Sequence, residues 1–309
     1  MQHLRLRILL CLLLLAAPAS GAKKKDPEHD PNQIGQRAVG KGVNFYSIDR
    51  EIALGREMAQ ETEREAKILD DPKAGEYVNR LVQNVVRNSD ATVPFTVKII
   101  DSDEINAFAL PGGFMFVNTG LLVRAQSEAE LAGVLAHEIA HVAARHGTRQ
   151  ATRGQLINIA SIPLLFMGGW AGYAIREAVS VAVPLAFLKF SRDMEKEADL
   201  LGLEYMYKAG YDPAEFINFF ERVQTLQKQK TGAVSKLFST HPMTRDRIRA
   251  AQKEIQQDLR PMPQYLVDTS EFHEIRARLL MLDNRFSLRE APDRPVLRTR
   301  PRTPLPRAP

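Results

Sequence analysis

Cysteine is almost missing from this chain of 309 residues, and Cys11 is the only one. It lies inside a short apolar run, Ile8 to Ala17, and follows Leu10 rather than a small residue, so no lipid anchor is expected there. Without that run the chain has no disulfide, no cysteine nucleophile and no thiolate metal site. Its stability must then come from a hydrophobic core, for which the length is ample. Long apolar runs are scarce as well, and the one at the N-terminus is too short for a comfortable membrane span. Arg5 and Arg7 precede it and small residues surround Ala19 and Ala22. This is the layout of a secretory signal peptide, expected over residues 1–22, with a retained anchor as the alternative. A lack of disulfides in an exported chain suits a bacterial periplasm. A strong charge of one sign is also lacking from the body. The formal net charge of +5 is concentrated in Lys23, Lys24 and Lys25 and in Arg298, Arg300, Arg302 and Arg307 near the other end. That distribution gives no nucleic-acid-binding body, and at most basic tails that touch anionic surfaces. No internal repeat is present, which excludes a solenoid.

What remains is one body of amphipathic segments. A flexible segment is expected over 23–45, a single domain over 46–286, and a disordered arginine- and proline-rich tail over 287–309. Apolar residues recur at helical spacing from Asp49 to Leu69 and from Pro72 to Val86, with Asp71 placed to cap the second helix. Pro94 to Ile100, Asn106 to Leu110 and Phe114 to Asn118 read as strands, the last two joined by a Pro111-Gly112-Gly113 turn. A long helix is expected from Ser127 to Gln150. Further helices follow over Arg192 to Tyr207, Pro213 to Gln229, Thr244 to Leu259 and Ser270 to Leu282. The stretch 156–190 is apolar but interrupted by Pro163, Gly168, Gly169 and Pro184. It reads either as a buried hairpin or as an apolar lid or membrane-facing loop over a site.

Within the Ser127 helix stands His137-Glu138-Ile139-Ala140-His141. Positions i and i+4 share a helix face, so both imidazoles can reach one zinc ion while Glu138 stays free to hold a water. The flanking Leu135, Ala136 and Val142 predict a buried setting, where unpartnered histidine and glutamate are costly and a metal removes that cost. A catalytic zinc needs a third protein ligand, and the candidates are His146, His241, His273, Asp193, Glu195, Glu197 and Asp199. His146 and His273 read as helix-end or surface residues and Glu197 as a surface charge. Glu195 and Asp199 are an i, i+4 pair in a helix that looks packed. The pair reads either as Glu195 serving as the third ligand with Asp199 orienting a histidine ring, or as solvated acids on a helix face.

His137-Glu138-x-x-His141 with Ser191-Arg192-x-x-Glu195-x-x-Ala198-Asp199 resembles the M48 peptidases. So do Asn106 to Gly113, Gly120-Leu121-Leu122, Ala209 to Pro213 and Thr240-His241-Pro242, all within a resemblance spanning Asp49 to Gln257. It implies an α+β, mostly helical zincin-like domain whose small sheet lines a cleft. It implies one zinc per chain on His137, His141 and Glu195, with Glu138 as general base and Asp199 as support. Asn106, Ala107, Phe108 and Ala109 would pair with an extended substrate. His241 would stabilise the developing oxyanion or cap the metal, and Arg192 is a weaker oxyanion candidate. The exported bacterial members look most similar. A helical-repeat domain, which they often carry after the peptidase, is not expected here; Tyr265 to Asn284 and the tail stand in its place. The expected function is a zinc metalloendopeptidase of unfolded or misassembled envelope proteins, exported to the periplasm with peripheral membrane contact. The rival readings are a chaperone-like zinc protein with little proteolysis and a cell-wall peptide hydrolase.

Overall fold

The computed structural model describes residues 30–165, 190–228, 241–242 and 244–290. The expected signal peptide, most of the apolar stretch 156–190 and most of the tail lie outside the described residues. The element order is α1 (Ile48–Glu65), α2 (Pro72–Arg87), β1 (Thr96–Ile100), β2 (Ala107–Leu110), β3 (Phe114–Asn118), α3 (Thr119–Arg124), α4 (Glu128–Ala143) and α5 (His146–Leu165). After the gap come α6 (Arg192–Lys208), α7 (Ala214–Lys228), α8 (Arg245–Gln257) and α9 (Ser270–Glu290). This is the expected α+β class, mostly helical with one small sheet.

The sheet has the order β1-β3-β2. β1 runs parallel to β3 and β2 antiparallel to it, which leaves β2 at an edge beside α4. Polar termini start the helices where the sequence supplies a cap. The Asp71 carboxylate accepts the Ala74 N–H at 3.1 Å. The Ser127 hydroxyl accepts the Glu130 N–H at 3.2 Å, and Glu130 reaches back to the Gln126 N–H at 2.7 Å. One orphan helix donor and the N–H of the residue before the cap are thereby satisfied at the start of α4.

α4 is the axis of the molecule. Every residue from Glu128 to Val142 is buried, with Leu131 and Leu135 fully enclosed. Each such leucine contributes roughly 2 kcal/mol by burial. Gly202 lets α6 lie directly against it, since a Cβ there would sit 3.1 Å from the His137 backbone nitrogen. The sequence pattern suggests one helix from Ser127 to Gln150, but the structure breaks it after Ala143. Arg145 adopts a left-handed φ of 55°, unusual for a side-chain-bearing residue. Its guanidinium explains the turn, bonding Glu51 at 2.6 Å and the Tyr46 carbonyl at 2.6 Å. α9 runs on to Glu290 rather than stopping at Leu282, and α3 was not evident from the sequence.

Residues 30–46 lie along the body and are fixed by buried polar contacts rather than free. Arg37 bonds Asp90 at 2.9 Å and also pairs with Glu204, all three side chains being almost fully enclosed. Asp90 accepts the Gly35 N–H, and Asn44 donates to Thr148. Among the described residues no helix is long and apolar enough to cross a membrane.

Candidate metal centre

α4 presents His137 and His141 one turn apart, and α6 presents Glu195 opposite them. His241, which precedes α8, enters from a third direction. The ligand-type atoms of these four buried residues all lie within 4.8 Å of one another. His137 Nε2 and His141 Nε2 are 3.0 Å apart. Glu195 lies 3.6 Å from each of those nitrogens and 2.8 Å from His241 Nδ1.

The outer nitrogens explain why the inner ones converge. His137 Nδ1 is 3.2 Å from Asp199 Oδ1, and His141 Nδ1 is 2.9 Å from His146 Nδ1. With protons on those outer positions, both Nε2 atoms present lone pairs to the same point, and only a proton or a cation between them relieves the repulsion. Burial disfavours the imidazolium of His137, but Asp199 and Glu195 outweigh it and raise its pKa to about 9. Burial drives His141 well below the ordinary imidazole value, and the charge of His137 adds to this. Burial also opposes ionisation of Glu195, yet its bonds to His137 and His241 hold it far below the usual carboxylate range. Two imidazoles, one of them neutral, and one ionised carboxylate therefore face a single point. These residues fit a divalent, nitrogen- and oxygen-liking metal.

Glu138 sits beside this group, held by the edge strand. Its Oε2 accepts the Ala109 N–H at 3.3 Å. Its Oε1 lies 3.6 Å from His241 Nε2 and has no hydrogen-bond partner although it is buried. Burial raises the Glu138 pKa, partly opposed by positive charge on His241 and His137. Asn106 and Ala107 are buried, while Phe108 and Ala109 are partly open on β2, with Phe108 stacked on Phe116.

Four features were not read from the sequence. Arg247 of α8 donates to both Asp199 oxygens at 2.6 Å and stands 2.9 Å from Glu195. It also donates to the Pro242 carbonyl, tying the His241 segment to the acids of α6. His146, expected as a helix-end or surface residue, is fully buried against His141, because the Arg145 turn redirects the chain. Glu197, expected as a surface charge, accepts from His146 at 3.0 Å, from Arg149 at 3.3 Å and from the Gly40 N–H at 3.0 Å. Phe190 stacks on His141 with ring centres 4.0 Å apart. Arg192 and Asp193 are exposed at the start of α6, and His273 is exposed beside Asp268, apart from the cluster.

The sequence model of Peptidase family M48 matches residues 72–255, more than half of the chain and every member of the cluster. The chain belongs to peptidase family M48. It is 30% identical over 247 residues to the beta-barrel assembly-enhancing protease of Escherichia coli K12, covering 77% of this chain and 50% of that protein. The protein of that name from Yersinia pestis is 29% identical over 264 residues, 82% of this chain and 54% of its own length. The mitochondrial metalloendopeptidase OMA1 of Schizosaccharomyces pombe is 31% identical over 204 residues, 64% of this chain and 57% of that protein. The chain thus spans about half the length of the curated relatives it matches. Membership of an M48 family fits a metal at this cluster, and the paired lone pairs of His137 and His141 give the physical reason.

Proposed function

We propose that this M48 chain is a zinc metalloendopeptidase that hydrolyses peptide bonds of unfolded or misassembled envelope proteins after export. The observation that carries the reading is the convergence of four buried ligand-type residues, with Glu138 beside them and one of its oxygens free of hydrogen bonds. His137, His141 and Glu195 would hold one zinc ion. Bound there, the ion would supply Lewis acidity, making water more acidic and polarising a peptide carbonyl.

The remaining chemistry belongs to the chain. Glu138 Oε1 takes the proton of the attacking water, while the Ala109 N–H keeps Oε2 turned away. After the C–N bond breaks, the same carboxyl returns the proton to the leaving amine. Asp199 fixes the His137 ring, and Arg247 fixes Asp199. Ala107, Phe108 and Ala109 lie on the edge strand, where backbone groups not engaged by β3 or by Glu138 would meet an extended peptide, which favours unfolded substrates. His241 lies between Glu195 and Glu138, 2.8 Å from the one and 3.6 Å from the other, and in this arrangement would cap the site.

The export reading rests on the apolar segment within residues 1–22, and the choice of substrate on the names of the bacterial relatives. The test compares cleavage of an unfolded model protein by wild type and Glu138→Gln, with bound metal measured in both. Loss of cleavage at unchanged zinc content supports the reading. Equal cleavage by the variant overturns it. Zinc binding with no cleavage by either protein favours the chaperone-like alternative.

A further inference from the structure

His146 and Glu197 take no part in the chemistry above, yet both point at the metal centre from behind. We propose that they form a positioning relay, Glu197 to His146 to His141, which holds His141 in the tautomer and orientation that let it bind metal. The inference rests on the reading of His141 as a ligand.

The direction of the relay follows from proton counting. The contact between His146 Nδ1 and His141 Nδ1, at 2.9 Å, needs one nitrogen to donate and the other to accept. If a neutral His146 donated, its Nε2 would turn a lone pair toward the Glu197 carboxylate at 3.0 Å, and two acceptors would face each other. If His141 donates, His146 Nδ1 accepts and its Nε2–H donates to Glu197, so every group is satisfied. His141 then carries its proton on Nδ1 and turns the Nε2 lone pair toward His137 and Glu195. Glu197 decides the tautomer two rings away.

Glu197 is itself fixed from two sides. Arg149 donates to Oε2, and the Gly40 N–H to Oε1. Gly40 lies so close to the α4–α5 turn that a Cβ there would overlap the Ala144 carbonyl, and its φ is 75°. The segment 30–46 therefore closes the relay. Each α4 histidine is backed in the same manner: His137 by Asp199 and Arg247, His141 by His146 and Glu197. Partners that orient ligand rings in this way commonly matter about 10- to 100-fold in metal affinity.

The test uses the whole chain and zinc alone as the probe, with a competing chromophoric chelator. His146→Phe keeps the ring's bulk but removes the acceptor, and should weaken zinc binding about 10- to 100-fold. His146→Asn places an oxygen near the lost Nδ1 and should recover most of that affinity. Glu197→Gln should fall between wild type and His146→Phe. His141→Ala serves as the control for the ligand reading: unchanged affinity there overturns the site itself, whereas a loss there with none in His146→Phe overturns only the relay. If the His146 variants do not fold, nitrogen-15 NMR of the zinc-loaded wild type decides. The Nε2–H tautomer at His146 supports the relay, and the Nδ1–H tautomer overturns it.

Discussion

At the scale of single residues the centre is a charge balance. Glu195 and Asp199 share the Arg247 guanidinium, and without metal His137 supplies the second positive charge. A zinc ion must displace the His137 proton, so its apparent affinity should rise about tenfold per pH unit and level off above the pKa of about 9. Zinc titrations across that range check this, and a flat profile would show that no proton is displaced. The metal-free fold responds in the opposite sense. The folded pKa of His137 lies above the free value of 6.5, so its contribution to stability is complete below pH 6.5 and is lost as the pH rises through about 9. Arg247→Met leaves two buried carboxylates without their cation, a change that typically costs about 3–5 kcal/mol. Bound zinc would neutralise part of the unpaired negative charge. The loss in unfolding free energy should therefore be larger for the metal-free protein than for the zinc-loaded one, and denaturant titrations of both forms measure the difference. Equal losses would mean that Arg247 acts on packing alone.

At the scale of elements, periodicity located most helices and all three strands because most have one face in the core, and burial imposes a 3.6- or 2-residue period on the sequence; α4 is buried on every side. The same logic picked out His137, Glu138, His141, Glu195 and Asp199, since i and i+4 on a helix share a face whatever the tertiary structure. What stayed illegible depended on long-range contacts. The break at Arg145 follows from its bonds to Glu51 and the Tyr46 carbonyl, far away in sequence, so His146, expected at a helix end or on the surface away from the site, instead starts α5 buried against His141. Arg247 was missed because nothing local to α8 shows that it faces α6. Gly202 reads as a defect in a helix, yet it sets the distance between α4 and α6. Gly202→Ala should gain about 1 kcal/mol of helix propensity but lose about 1–3 kcal/mol to overpacking. The obstructing atoms belong to the His137 backbone and cannot swing aside. Net destabilisation with weaker zinc binding is expected, since His137 must move; melting temperatures and zinc affinities check both. A stabilised variant with wild-type affinity would show that the helices can separate without disturbing the site.

At the scale of the whole molecule, the segment 30–46 does two separable jobs. Through Arg37 it neutralises Asp90 and Glu204, which are buried in the body. Through the Gly40 N–H and the Tyr46 carbonyl it holds Glu197 and Arg145, the residues that shape the turn behind His141. Arg37→Met touches the first job alone and should cost about 3–5 kcal/mol, as expected for one partner removed from a buried ionic group. Its zinc affinity should stay at the wild-type value, because neither Asp90 nor Glu204 belongs to the metal centre. Deleting residues 1–46 removes both jobs together. That variant should be at least as unstable as Arg37→Met, and any of it that remains folded should bind zinc more weakly as well. Denaturant unfolding and zinc competition on the two variants separate these effects. If the deletion lowers stability but leaves zinc affinity at the wild-type level, the centre stands on α4 and α6 without help from the N-terminal segment. If both fall, the segment is part of the metal site even though it supplies no ligand to it.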